Sequence, residues 1–287
     1  MSRPVFRLAI AGRFLANSEK YLLTLINIVN MNTRPLLPTA FTYLCSLLVA
    51  LCAFPLGVHA DTPINSVPTT ISSPGRYFLT MNLSSNNSSK NAITIEADDV
   101  TIDFQDHTIS GLGAGIGTNA NGISAINRRN ITIKNGTLTG FKIAIALQRG
   151  LSAGAGNNAS NAIENMRLNS NTYGGVLIEG GVGCRIEQCQ ITRTGGTFSG
   201  VDAFGISLPF TSAVARDNQI STVFATIGSS FGIICQNSNA TLLGNHIDTC
   251  INGITVTGNV GQTKFLHTLT ANVARPFNGG VDAGHNN

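Results

Sequence analysis

The sequence predicts an all-β solenoid, a parallel β-helix of about six to seven coils. Three observations carry that expectation. Residues 92–111 hold three short alternating apolar runs, Ile93/Ile95, Val100/Ile102/Phe104 and Thr108-Ile109, each ended by polar or glycine residues. Period-two alternation this short means strands with one buried and one exposed face. The same pattern then returns in variants to about residue 270. Finally, Gly, Asn, Ser and Thr crowd every unit while β-branched residues fill the apolar slots, which disfavours helix and suits a pleated stack.

The register of the repeat can be written down. Asp106-His107-Thr108-Ile109 aligns with Asn135-Gly136-Thr137-Leu138, Asn165-Met166-Arg167-Leu168, Gln188-Cys189-Gln190-Ile191, Asp217-Asn218-Gln219-Ile220 and Gly244-Asn245-His246-Ile247. The aliphatic that closes each quartet recurs after 29, 30, 23, 29 and 27 residues, a unit near 23 with insertions. A second marker is glycine before an aliphatic, at Gly122-Ile123, Gly175-Val176, Gly205-Ile206, Gly232-Ile233 and Gly253-Ile254. Strands this short cannot pair within one unit, so they pair with the units above and below.

Taken in order, residues 1–30 carry charge without pattern and are read as a leader extension or a mis-set start. Residues 31–60 read as a signal peptide: a short positive lead through Arg34, an apolar stretch over 40–58, then Val58-His59-Ala60 before Asp61. An uncleaved membrane anchor is the alternative, since the stretch approaches the about 20 residues needed to span a bilayer. Pro55 and Gly57 interrupt it just before the cleavage-like triplet. Residues 61–91 are an extended lead-in and capping strand, with Pro63, Pro68 and Pro74 blocking helix. Residues 92–285 are the β-helix, with Gly- and Ser-rich insertions at 111–121, 149–160, 194–203 and 224–230.

Charge excludes one class of partner. The chain has 18 basic and 14 acidic side chains, but residues 1–60 hold five of the basic ones against Glu19 alone. The remainder is balanced, so no basic stripe exists to release counterions from nucleic acid. Of the six cysteines, Cys45 and Cys52 fall in the signal. Cys184, Cys189, Cys235 and Cys250 remain: export permits disulfides, with three pairings open, yet Cys189 shares the column of Met166 and Asn218 and reads as an inward, unreactive thiol.

Gly-Ile-x-hydrophobic followed by Asn-x-x-Ile-x-x-Asn-x-Ile resembles the right-handed parallel β-helix repeat of the pectate-lyase-like superfamily, over about residues 64–285. The opening 71–80 followed by 93–111 resembles the first coil of secreted bacterial β-helix proteins. The resemblance implies a right-handed, secreted or periplasmic β-helix with a polysaccharide or oligosaccharide partner and no membrane contact after signal cleavage. Activity does not follow, because this scaffold hosts lyases, hydrolases, epimerases, adhesins and inert modules alike.

In such lyases, cations and basic residues neutralise a uronate carboxylate while Arg or Lys removes the neighbouring proton. The residues aligned on one face here are Glu164, Arg185, Glu187 and Arg216, read as catalytic candidates, with Lys134, Arg167 and Arg193 as substrate-binding candidates. The outward column they follow is read as Gln105, Lys134, Glu164, Glu187, Arg216, Leu243. Glu164 and Glu187 could equally serve as a hydrolase's acid and base, or the whole set could be an ion-pair ladder on a solvated face. The resemblance admits Ca2+ at such a site. Polygalacturonase-type hydrolysis is disfavoured, because Asn-Thr-Asp, Gly-His-Gly and Arg-Ile-Lys are missing. His246 with Asp248, two apart on one strand, is a weaker acid–base or metal candidate. Trp is absent, so a long sugar-stacking groove is poorly equipped, and the phenylalanines at coil junctions read as core. Two function classes stand: a polysaccharide lyase- or epimerase-like enzyme acting on acidic polysaccharide, and a non-catalytic extracellular binding, adhesin-like or structural module.

Overall fold

A computed structural model describes residues 61–150, 158–195, 202–258 and 261–287. The leader and signal peptide expected over 1–60 lie outside the described residues, as do parts of the insertions at 149–160 and 194–203. Among the described residues there is no α-helix, and no helix is long and apolar enough to cross a membrane.

Every strand pairing is parallel, and each coil lays down three faces in turn. The first face stacks Gly75–Leu79, Val100–Asp103, the start of Ile131–Thr139, the start of Ala162–Asn169, Gly181–Glu187, Ser212–Arg216, Thr241–Leu243 and Lys264–Leu266. The second stacks Leu83–Ser84, Thr108–Ser110, the ends of those two long strands, Gln190–Gly195, Gln219–Phe224 and the start of His246–Thr257. The third runs from Ile93–Ile95 through Ile123–Ile126, Ile143–Gln148, Gly174–Ile178, Ala203–Pro209, Ser230–Gln236 and His246–Thr257 to Leu269–Asn278, which makes seven turns. This is the parallel β-helix expected from the repeat. A right-handed winding is what successive parallel strands joined by crossovers favour. The ladder already includes Thr62–Ile64 and Thr69–Ile71, ahead of residue 92.

The written register holds rung by rung. Ile109, Leu138, Leu168, Ile191, Ile220 and Ile247 are direct neighbours in one interior column and all are buried. The 23-residue step from Leu168 to Ile191 is the coil whose corners carry no insertion. Just before this column the chain turns from the first face to the second through left-handed residues: Asp106 (φ 63), Asn135 (61), Asn165 (51), Gln188 (55), Asp217 (55) and Gly244 (63). Asn, Asp and Gly tolerate that region best, which accounts for most of the column. An amide ladder is present in part: Asn165 Nδ2 donates to Asn135 Oδ1 at 3.1 Å.

One position further inward, the column of Met166, Cys189, Asn218 and Asn245 is fully enclosed. Asn218 Nδ2 donates to Asn245 Oδ1 at 3.0 Å, and Asn218 Oδ1 accepts from the Cys189 backbone N–H at 3.0 Å. Burial without such partners would be costly, so the polar residues inside the coil stack on one another.

The second marker has its cause here too. A Cβ built on Gly232 would stand 2.4 Å from Ile247 Cγ2, and one on Gly205 would stand 2.5 Å from Ile220 Cγ2. Gly175 meets Ile191 Cγ2 in the same way at 2.6 Å, so through these coils the two recurring signals are two halves of one contact, whereas Gly253 abuts the Pro276 backbone instead.

Candidate functional site

The first face carries the charged ladder. Glu164 sits between Lys134 and Glu187, and Glu187 between Glu164 and Arg216; Arg185 lies two residues before Glu187, opposite Ala162. The column differs from the expected one at its start. Asp103, not Gln105, is the neighbour of Lys134, because the first coil's corner holds two extra residues and tucks Phe104 into the core above Gly136.

Parallel neighbours are about 4.8 Å apart, and the long side chains close the gaps. Arg185 donates from Nε and Nη2 to Glu164 Oε1 at 2.9 and 2.8 Å. Arg216 Nη2 donates to Glu187 Oε2 at 3.0 Å, and its Nε lies 3.6 Å from Asp217 Oδ2. Lys134 Nζ lies 3.6 Å from Asp103 Oδ2. All four catalytic candidates are therefore brought together, but as paired ions on the outside of a sheet. Glu164 is 31% and Arg185 48% exposed, and of the described insertion residues Asn158 and Ala159 join this face, beside Gly181 and Val182.

That geometry limits the chemistry. In the lyases that the sequence resembles, an Arg or Lys takes the substrate proton, whereas here the guanidinium groups of Arg185 and Arg216 are each bonded to a glutamate. The donor set also does not fit Ca2+: each glutamate is engaged by an arginine, and among the described residues no three His, Cys, Asp or Glu side chains gather as metal ligands. His246 and Asp248 do not act as a pair either. Asp248 Oδ1 accepts from Asn272 Nδ2 at 2.9 Å in the next coil, and His246 is exposed.

The two remaining candidates lie elsewhere. Arg167 stands on the second face, exposed, between Thr137 and Gln190. Its outward column reads Thr108, Thr137, Arg167, Gln190, Gln219, His246, flanked two residues later by Ser110, Thr139, Asn169, Thr192, Ser221, Asp248. This is a ribbon of hydroxyl, amide and guanidinium groups repeated once per coil. Arg193 occupies the corner that follows, in a left-handed column of Ser170 (φ 52), Arg193 (51), Thr222 (56) and Thr249 (54).

At that corner the structure holds a feature the sequence reading missed. The insertions beginning at 111, 194 and 224 all leave the coil here, between second and third faces. Beside them opens a cleft of ≈ 470 Å³, with Leu112, Ile116 and Phe224 on its walls, Arg193 at its rim and Asn171 beneath. Phe224, 49% exposed, and Phe210, 51% exposed, thus correct the expectation that junction phenylalanines are core, whereas Phe141 and Phe204 are buried as expected. A signal existed: Leu112 and Ile116, Phe198, and Phe224 and Ile227 are large apolar residues in three otherwise mostly small and polar insertions.

All four described cysteines are free and buried. Burial pushes the Cys189 thiol up to about 12, helped by the nearby Glu164 and Glu187 charges, and pushes Cys235 up to about 12 and Cys250 to about 11. Burial raises Cys184 as well, and in all four it disfavours the thiolate, which is the reactive form.

No protein-family model and no curated protein matches the sequence. Among solved structures, the catalytic domain of a GH87 alpha-1,3-glucanase in complex with nigerose is similar at 12% identity and a TM-score of 0.35, and so are two single-residue aspartate-to-alanine variants of it with nigerose. The alignment covers 80% of this chain and 63% of the glucanase domain, so the chain spans less than two thirds of that domain. A superposition this loose carries no information about the chemistry of the present chain.

Proposed function

We propose that this chain is an exported, non-catalytic β-helix that binds oligosaccharide along its second face. The observation that carries this reading is the closure of the charged ladder: the four side chains that would have to act as acid and base are each other's partners on an open, flat sheet. What remains free to meet a ligand is the ribbon of Thr137, Arg167, Gln190 and Gln219, which offers donors and acceptors at the regular spacing of the coils. Sugars are recognised by such groups, and a repeating ribbon suits a repeating ligand. The competing reading is a lyase- or epimerase-like enzyme acting on acidic polysaccharide.

Two assays on the purified chain separate them. Glycan binding is measured by calorimetry for the wild type, for an Arg167→Ala, Gln190→Ala, Gln219→Ala variant and for a Glu187→Ala, Arg216→Ala variant. Loss of three side-chain hydrogen bonds, one of them charge-assisted, weakens binding at least about tenfold in the first variant, and the second binds like wild type. In parallel, ultraviolet absorbance on a panel of acidic polysaccharides, with and without calcium, stays flat for all three proteins. Absorbance that grows with wild type and fails with Glu187→Ala, Arg216→Ala would sink the binding reading and make this a lyase.

A further inference from the structure

The cleft beside the second face is built for a different kind of ligand. Its walls are apolar and wet: Leu112 is 60%, Ile116 73% and Phe224 49% exposed, in a chain whose aliphatic residues otherwise sit mostly inside the coil. Its volume, ≈ 470 Å³, falls within the range of small-molecule pockets.

Two polar groups at the cleft lack partners. Among the described residues, no carboxylate lies within ion-pairing distance of Arg193, as is also true of Arg128, Arg149, Arg167 and Arg275, and Arg193 is the one of these that lines the cleft. Asn171 lies beneath the floor, 1% exposed. Its amide orientation is set, because Oδ1 accepts from the Phe141 backbone N–H at 3.1 Å. That leaves Nδ2 as a buried donor with no acceptor, an arrangement folded proteins rarely tolerate without a reason. A cation at the rim, an unused donor at the floor and hydrocarbon walls complement one chemistry.

We propose that the cleft binds a small carboxylate with an apolar body, the carboxylate facing Arg193 and the Asn171 amide and the hydrocarbon lying against Leu112, Ile116 and Phe224. The site is separate from the oligosaccharide ribbon, so either can fail without the other.

Calorimetric titration of the whole chain with octanoate, octanol and glucuronate tests it. Octanoate binds; octanol, which lacks the charge, and glucuronate, which lacks the apolar body, each bind at least about tenfold more weakly, in line with loss of a charge-assisted bond or of buried hydrocarbon. Arg193→Gln, a change at an exposed position, weakens octanoate about tenfold and leaves octanol unchanged. Asn171→Asp keeps the oxygen that accepts from Phe141 but sets a carboxylate beneath the ligand, and removes octanoate binding. Should Asn171→Asp fail to fold by circular dichroism, the Arg193→Gln comparison decides alone. Octanoate binding no tighter than octanol, glucuronate binding as tightly as octanoate, indifference to Arg193→Gln, or no binding of octanoate at all would each overturn the proposal.

Discussion

The contact between Gly232 and Ile247 is the smallest unit in which this fold can be understood. The glycine is there because a Cβ would stand 2.4 Å from the Ile247 methyl and 2.8 Å from the Gly253 carbonyl oxygen. Gly232→Ala is expected to destabilise the chain by about 1–3 kcal/mol through overpacking. In a urea-unfolding double-mutant cycle, Gly232→Ala with Ile247→Ala costs less than the sum of the single changes by at least about 0.5 kcal/mol; additive costs would show that the two markers are independent. The buried thiols provide a second residue-scale expectation. Burial raises Cys189 and Cys235 from the ordinary 9.0 to about 12 in the folded chain. As pH rises past about 9, the unfolded chain therefore releases these protons while the native chain keeps them, and stability falls until the folded values are reached. Each thiol contributes at most about 1.4 kcal/mol per pH unit in that window. Cys235→Ala is expected to flatten the decline of urea-unfolding free energy between pH 9 and 11 relative to wild type, and an unchanged slope would show that the thiol is not held protonated.

Scaling up to the strand, the charged ladder of the first face is a set of neighbours rather than a machine. Its members are between a fifth and a half exposed, where water screens the attraction. Glu187→Ala is therefore expected to change stability by only about 0.2–1 kcal/mol, with the difference shrinking as salt rises. A loss of several kcal/mol that persists in high salt, measured by urea unfolding, would mean that the pair is structurally essential. The columns that contain Glu164, Glu187 and Arg216 were legible from the repeat because parallel register carries side-chain position from one coil to the next. The error at Gln105 shows the limit: the first coil holds two extra residues and the left-handed corner absorbs them, which changes the neighbour of Lys134 without disturbing the aliphatic column.

In the whole molecule, each coil buries its interior against the next, so a solenoid of this kind accepts insertions wherever a corner faces solvent. The insertions at 111–121 and 224–230 emerge at one corner and line a cleft there, whereas the same insertions at different corners would make none. The sequence shows that loops at 111–121, 194–203 and 224–230 exist and that Leu112, Ile116 and Phe224 lie in or beside them. Their common corner becomes visible only when the faces are assigned.

By itself, the amino-acid sequence determined the coil: its strands, its register, its interior aliphatic and amide columns and the placement of charged residues along one face. Those properties are local and periodic, because a two-residue alternation and a repeat of about 23 residues leave a strand few alternatives. Only the tertiary structure decided which charged residues are spent on one another, which arginines, Arg167 and Arg193 among them, make no ion pair among the described residues, and where the apolar insertions meet. Those outcomes depend on distances between coils and on the corner from which each loop leaves. Ion pairing acts over a few ångströms and cleft formation needs residues far apart in sequence, so neither is written in the period of the repeat.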